Sequence, residues 1–260
     1  HRATTLVHLA FISRRGRNRR DVAAIRQQNL DALKSVLNSC MRAGVRHFIY
    51  LSSHTVYGAH SDNPIPLTDK APLRPVPEFP YGYDKYLSEQ LIQEFAEQHQ
   101  DIKVTVLRSC VVLGPNANDP ISQALYRPWL LGVQDYNPPL QFLYEEDLTR
   151  VLAIMINREL PGVYNIAGEG VVFYRELANI TKSKLIMLPS FLAYSLAQLT
   201  WALGIQRDST QSGLDLVRYP MVLDTSKLRQ ATGYRFWHTS EETLTSFANF
   251  RLLYKETAQV

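Results

Sequence analysis

Short apolar runs that alternate with longer amphipathic segments constrain this chain more than any other feature. Thr4–Ala10 (TTLVHLA), His47–Ser52 (HFIYLS), Ile102–Leu107 (IKVTVL) and Gly162–Ala167 (GVYNIA) read as buried strands. Between the first two, apolar residues recur at helical spacing at Val22, Ile25, Leu30, Leu33, Val36 and Leu37, and Gly44 closes the segment Val22–Ala43 as a helix C-cap. Tyr83–His99 carries an apolar face at Tyr86, Leu87, Leu91, Ile92 and Phe95, and Leu148–Ile156 also reads as helix. Strands separated by helices predict an α/β fold, with parallel strands joined by crossovers. Asn63–Pro80 holds six prolines and no period, so it is expected to be a loop. Beyond residue 170 the alternation weakens, so residues 1–170 form the expected main domain and 171–260 a smaller C-terminal part.

Composition narrows the function classes. At 260 residues, 45% hydrophobic and 20% charged, the chain has the makeup of a globular protein with a sizeable core. Its 28 basic and 24 acidic residues leave a net charge of +4, too small an excess to argue for nucleic acid. Arg14, Arg15, Arg17, Arg19 and Arg20 cluster without interleaved aromatics and read as a solvated loop. Cys40 and Cys110 each lie in an apolar run, so buried reduced thiols and a reducing cytoplasm are expected. The start, His1-Arg2-Ala3, has neither an initiator methionine nor a signal-peptide pattern, and a segment of a longer product is expected. Leu185–Ile205 is long and apolar, but Pro189, Ser190, Ser195, Gln198 and Thr200 interrupt it. It reads as a packed lid or core helix and not as a membrane contact. His238 has Glu241 and Glu242 nearby but no further ligand, so no metal site is expected.

Two residues in the second helix could carry proton chemistry. Tyr81 and Lys85 are four apart, which places both side chains on one helix face. A neighbouring ammonium favours phenolate and is expected to lower the tyrosine pKa towards neutrality, where it can give or take a proton. Ser52 and Ser53 end a buried strand, and ligands of open parallel sheets bind beyond the carboxyl ends of strands. Both serines are therefore expected at the mouth of a site. His54 follows them without a visible acidic partner, which excludes a hydrolase triad.

The blocks Ser53-His54-Thr55-Val56-Tyr57-Gly58 and Pro80-Tyr81-Gly82-Tyr83-Asp84-Lys85 resemble the extended short-chain dehydrogenase/reductases, the NAD-dependent epimerase/dehydratase family. Other pieces fall in the family's order: His8-Leu9-Ala10, Asn29, Leu107-Arg108, Leu113-Gly114-Pro115, Asp147 after Phe142, Gly162–Ala167 and Asp224–Leu228. The resemblance implies a Rossmann-like doubly wound parallel sheet with a smaller substrate-binding part. It implies Tyr81 as catalytic acid/base, Lys85 on the nicotinamide ribose, Ser53 on the reacting oxygen and Asn29 in support. His8, Leu9, Ala10, Ser52, Arg108, Cys110 and Val111 would line the cofactor, NAD or NADP, together with Tyr81 and Lys85. It also implies a small-molecule substrate, and a homodimer formed through Val22–Ala43 and Tyr83–His99.

The family's opening strand and glycine-rich turn have no counterpart among the 12 glycines, and the resemblance starts at the family's fourth strand, so the sheet is expected to be N-terminally incomplete. Ser109–Val112 stands where nucleotide-sugar enzymes usually place an asparagine, which turns the expectation towards an apolar substrate such as a sterol-like alcohol beside sugar-type ones; Phe191–Trp201 would line its pocket. Two function classes follow. One is an oxidoreductase or epimerase/dehydratase working through Ser53, Tyr81 and Lys85. The other is a catalytically silent binding or scaffold module.

Overall fold

The computed structural model describes residues 3–13, 19–125, 127–202 and 211–257. In chain order the elements are β1 (Thr5–His8), α1 (Arg19–Ala43), β2 (His47–Ser53), a 3-10 turn (His54–Tyr57), α2 (Pro80–Gln98), β3 (Lys103–Ser109), β4 (Val111–Leu113), α3 (Pro120–Ala124), β5 (Trp129–Val133), β6 (Pro139–Leu140), β7 (Phe142–Tyr144), α4 (Glu145–Arg158), β8 (Gly162–Ile166), β9 (Val172–Phe173), α5 (Tyr174–Ile180), β10 (Lys184–Leu188), α6 (Ser190–Ala202), α7 (Gln211–Asp215), α8 (Ser226–Thr232) and α9 (Ser240–Thr257). The four runs read as buried strands form one parallel sheet in the order β1-β2-β3-β8.

The apolar runs are continuous because the sheet is covered on both faces. In β2, Phe48 and Tyr50 pack with Leu33, Leu37 and Cys40 of α1 and Ile92 and Phe95 of α2. The intervening Ile49 points to the opposite layer, with Leu107 of β3, Val151 and Met155 of α4 and Leu228 of α8. Gly44 ends α1 with a positive φ of 71°, a conformation glycine adopts without strain.

The segments after β3 interleave with the C-terminal third. β5 pairs with β10, β6 with β9, and Leu67 bridges Leu223. Leu113, Phe142, Val172, Leu177, Leu244 and Phe247 share one core cluster, so packing crosses the expected boundary at residue 170.

The stretch Leu185–Ile205 divides into β10, Pro189 and α6, with residues 203–205 outside the described ones. α6 buries its small residues Ala193 and Ala197 against Val133 and Leu214. Its large apolar residues face outward: Phe191 is 71% and Leu199 57% exposed. The Trp201 side chain lies outside the described residues. Among the described residues, no helix is long and apolar enough to cross a membrane. Of the arginine cluster, residues 14–18 and the Arg19 side chain lie outside the described residues.

Candidate active site

β2 and β3 end in register, Ser53 beside Ser109, at the carboxyl edge of the sheet. The chain turns there into the 3-10 segment. The Ser53 hydroxyl caps that turn, accepting from the Thr55 amide at 3.3 Å and from the Thr55 hydroxyl at 2.9 Å. α2 starts with Pro80 in its first turn, where a missing N–H is tolerated. Gly82 lets α2 press against the turn, since a Cβ there would stand 2.9 Å from the Thr55 carbonyl oxygen. This close approach brings the Tyr81 side chain within electrostatic reach of Ser53.

Lys85 lies one helical turn on and is only 4% exposed. Its ammonium donates to the Leu51 carbonyl at 2.7 Å. It sits 4.0 Å from the Phe11 ring centre, 4.7 Å from that of Tyr50 and 6.0 Å from that of Tyr81. Phe11 meets Tyr81 edge-on at 5.6 Å, so its ring touches both proton-bearing groups. Burial pushes the Lys85 pKa down to about 7, against a smaller opposing pull from Glu89. Burial also pushes Tyr81 up to about 12, partly offset by the Ser53 hydroxyl. This corrects the expectation of a lowered tyrosine: in this pocket desolvation outweighs any help from a lysine that itself resists charging.

The expected cofactor-lining residues fall into two groups. His8 is buried and stacked on Tyr50, with its pKa lowered by burial and by Lys85. Leu9 and Ala10 are exposed beside it. Asn29 reaches from α1 and clamps the loop after β1, accepting from the Ile12 amide at 2.9 Å and donating to the Ile12 carbonyl at 3.2 Å. Its supporting role is thus exerted on the loop that carries Phe11. Val111 is half-buried and Cys110 buried, its thiol pushed up by desolvation.

Ser52 and Arg108 point elsewhere. Ser52 donates to Glu89 at 2.5 Å, inside the protein and away from any mouth. Arg108 grips the same Glu89 carboxylate at 2.7 Å, and it also donates to the Tyr57 hydroxyl and the Asp69 carbonyl. Tyr57 donates to Asn165 of β8 at 2.7 Å. This network fastens α2 to the sheet, and its side chains are already committed to one another. Asp147 is equally occupied. It accepts from Tyr234, from the Trp237 and His238 amides and from the His238 ring, tying the C-terminal segment to the first turn of α4.

Three neighbours were not singled out by sequence reasoning as site residues. Glu89 stands four residues after Lys85, a spacing that is readable on a helix. Phe11 comes from an irregular loop with no period. His54 was visible but lacked the partner that a triad would need. Its Nδ1 in fact lies 3.1 Å from the Ser109 carbonyl oxygen.

Residues 1–167 match the NAD-dependent epimerase/dehydratase family. The chain belongs to that family. An uncharacterized protein of Mycobacterium tuberculosis is 26% identical over 242 residues, covering 91% of this family member and 63% of its own length. The chain thus spans less than two thirds of that relative. A UDP-glucose 4-epimerase of Erwinia amylovora is 32% identical over 108 residues, 42% of this chain and 31% of that enzyme. Among solved structures, the dTDP-glucose 4,6-dehydratase DesIV of Streptomyces venezuelae, determined with NAD, superposes with a TM-score of 0.74 at 18% identity, over 97% of this chain and 74% of that one. The UDP-glucose 4-epimerase of Bifidobacterium longum, determined with NAD⁺ and UDP, gives 0.73 at 16% identity, over 96% and 76%. The family member therefore shares the fold of these enzymes, and its parallel sheet is the Rossmann-like one expected.

Proposed function

We propose that this protein performs NAD-dependent oxidation and reduction at a hydroxyl-bearing carbon of a nucleotide sugar, as the core step of an epimerase or dehydratase. The observation that carries the reading is the approach of Tyr81 to Ser53 at the carboxyl edge of a parallel sheet, with Lys85 6.0 Å from the Tyr81 ring centre, in a chain of this family. Related proteins described as UDP-glucose 4-epimerases support the substrate class, and structures of the same fold determined with NAD support the cofactor.

The residues present fit the nicotinamide-ribose end of a dinucleotide. Lys85 uses one N–H on Leu51 and retains further donors for ribose hydroxyls. When bound, the dinucleotide supplies the hydride acceptor and donor. Ser53 orients the reacting oxygen. Tyr81, whose pKa burial pushes up to about 12, carries its proton at neutral pH and donates it to that oxygen in the reductive direction. In the oxidative direction it must accept the proton, which requires its pKa to fall. A Lys85 held in its charged form by ribose oxygens would lower it.

The test is a thermal-shift titration with NAD and NADP. Binding to the folded state alone raises stability by about 2.7 kcal/mol at one hundred times Kd. Tyr81→Phe should keep this shift and lose at least about 100-fold in turnover of UDP-glucose, the typical minimum for a missing general acid/base. Absence of a shift with either dinucleotide would overturn the enzymatic reading in favour of a silent binding module.

A further inference from the structure

His54 directly follows Ser53, and the mechanism above gives it no task. Its position is fixed from two sides. The 3-10 turn capped by Ser53 sets its backbone, and its Nδ1 reaches across the ends of two strands to the Ser109 carbonyl. A carbonyl oxygen only accepts, so the proton of the neutral ring lies on Nδ1. Nε2 is then a lone-pair acceptor, and among the described residues no hydrogen bond to it is formed. The ring spans the carboxyl ends of β2 and β3, the edge where open parallel sheets bind their ligands.

We infer that His54 is a specificity-determining residue, whose Nε2 accepts a hydrogen bond from a substrate hydroxyl neighbouring the carbon that reacts at Ser53 and Tyr81. The inference rests on the proposed nucleotide-sugar reading and adds which side chain recognises the sugar. Burial holds the imidazole pKa down to about 4, so the ring stays neutral through the physiological range. It therefore accepts and does not donate. A polyhydroxylated ring offers such a donor; a sterol-like alcohol with a single hydroxyl, already engaged by Ser53 and Tyr81, does not. His54 thus favours the sugar over the apolar alternative.

Nitrogen NMR of the histidine rings reads this directly in the wild-type protein. The expected spectrum is the Nδ1–H tautomer for His54 at pH 7, with its Nε2 resonance moving when NAD and UDP-glucose are both added and not with NAD alone. Kinetically, His54→Phe should raise KM for UDP-glucose about tenfold, as loss of one hydrogen bond implies, leaving kcat and the NAD thermal shift close to wild type. His54→Gln, which keeps an acceptor, should recover part of the loss. An Nε2–H tautomer, an Nε2 signal unmoved by bound UDP-glucose, or an unchanged KM in His54→Phe would overturn the assignment. No response to UDP-glucose alongside a normal NAD shift would overturn it too, while sparing the dinucleotide reading. Loss of the NAD shift itself would remove the functional reading on which the assignment stands.

Discussion

Glu89→Ala is expected to cost about 3–5 kcal/mol of folding stability at neutral pH, the usual penalty for stripping one partner from a buried ion pair. Glu89 and Arg108 are both almost fully buried and 2.7 Å apart. Removing the carboxylate leaves a guanidinium in the interior beside Tyr57, and it deprives Ser52 of its acceptor. Arg108→Ala should cost a similar amount by leaving the carboxylate unpaired. The paired replacement Glu89→Met with Arg108→Met should cost far less than the two single losses combined, because no bare charge remains. Urea unfolding of the four proteins checks this. A single-variant loss below about 1 kcal/mol would show that the pair is solvated and does not hold α2. Since α2 carries Tyr81 and Lys85, any variant that loosens it should also weaken dinucleotide binding.

The second large effect concerns Lys85 and pH. Its pKa of about 7 in the folded state lies well below the ordinary lysine value near 10.5. Between these values the unfolded chain holds a proton that the folded chain has released, so this group makes stability rise with pH across the window from about 7 to 10. Each pH unit there contributes up to about 1.4 kcal/mol, and the effect of the whole window is several kcal/mol. Below pH 7 the folded protein carries the full cost of a buried ammonium. Lys85→Met should therefore be more stable than wild type at pH 7, with an advantage that shrinks steadily towards pH 10. Comparing the two proteins isolates Lys85 from the tyrosines and cysteines that also titrate in alkali. An advantage that stays constant across the range would mean that Lys85 remains charged when folded.

The sheet was legible because its strands are covered on both faces and so leave largely apolar runs. Phe48, Ile49 and Tyr50 show this in three consecutive residues. The edges were less sharp: β1 ends at His8, two residues before the apolar run does, and Leu9 and Ala10 are exposed. Tyr81, Lys85 and Ser53 were readable from spacing and from their place at a strand end. What spacing cannot convey is how a polar side chain spends its hydrogen bonds. Ser52 and Ser53 are adjacent and chemically identical, yet strand alternation sends one to Glu89 and the other to the turn at Thr55. Arg108 looks like a ligand-binding residue until its partner Glu89 is known. The direction of the Tyr81 shift was missed for the same reason, because the Phe11 ring that meets Tyr81 edge-on arrives from a distant loop.

The aromatic enclosure of Lys85 has one more consequence. A cleft whose principal cation is close to half-ionised at neutral pH has no fixed electrical character of its own. Its proton inventory is balanced finely enough that an arriving anionic or polar ligand sets it, so occupancy and acidity are two readings of one equilibrium. A ligand that holds Lys85 charged would make these surroundings the positive environment that its tyrosine needs.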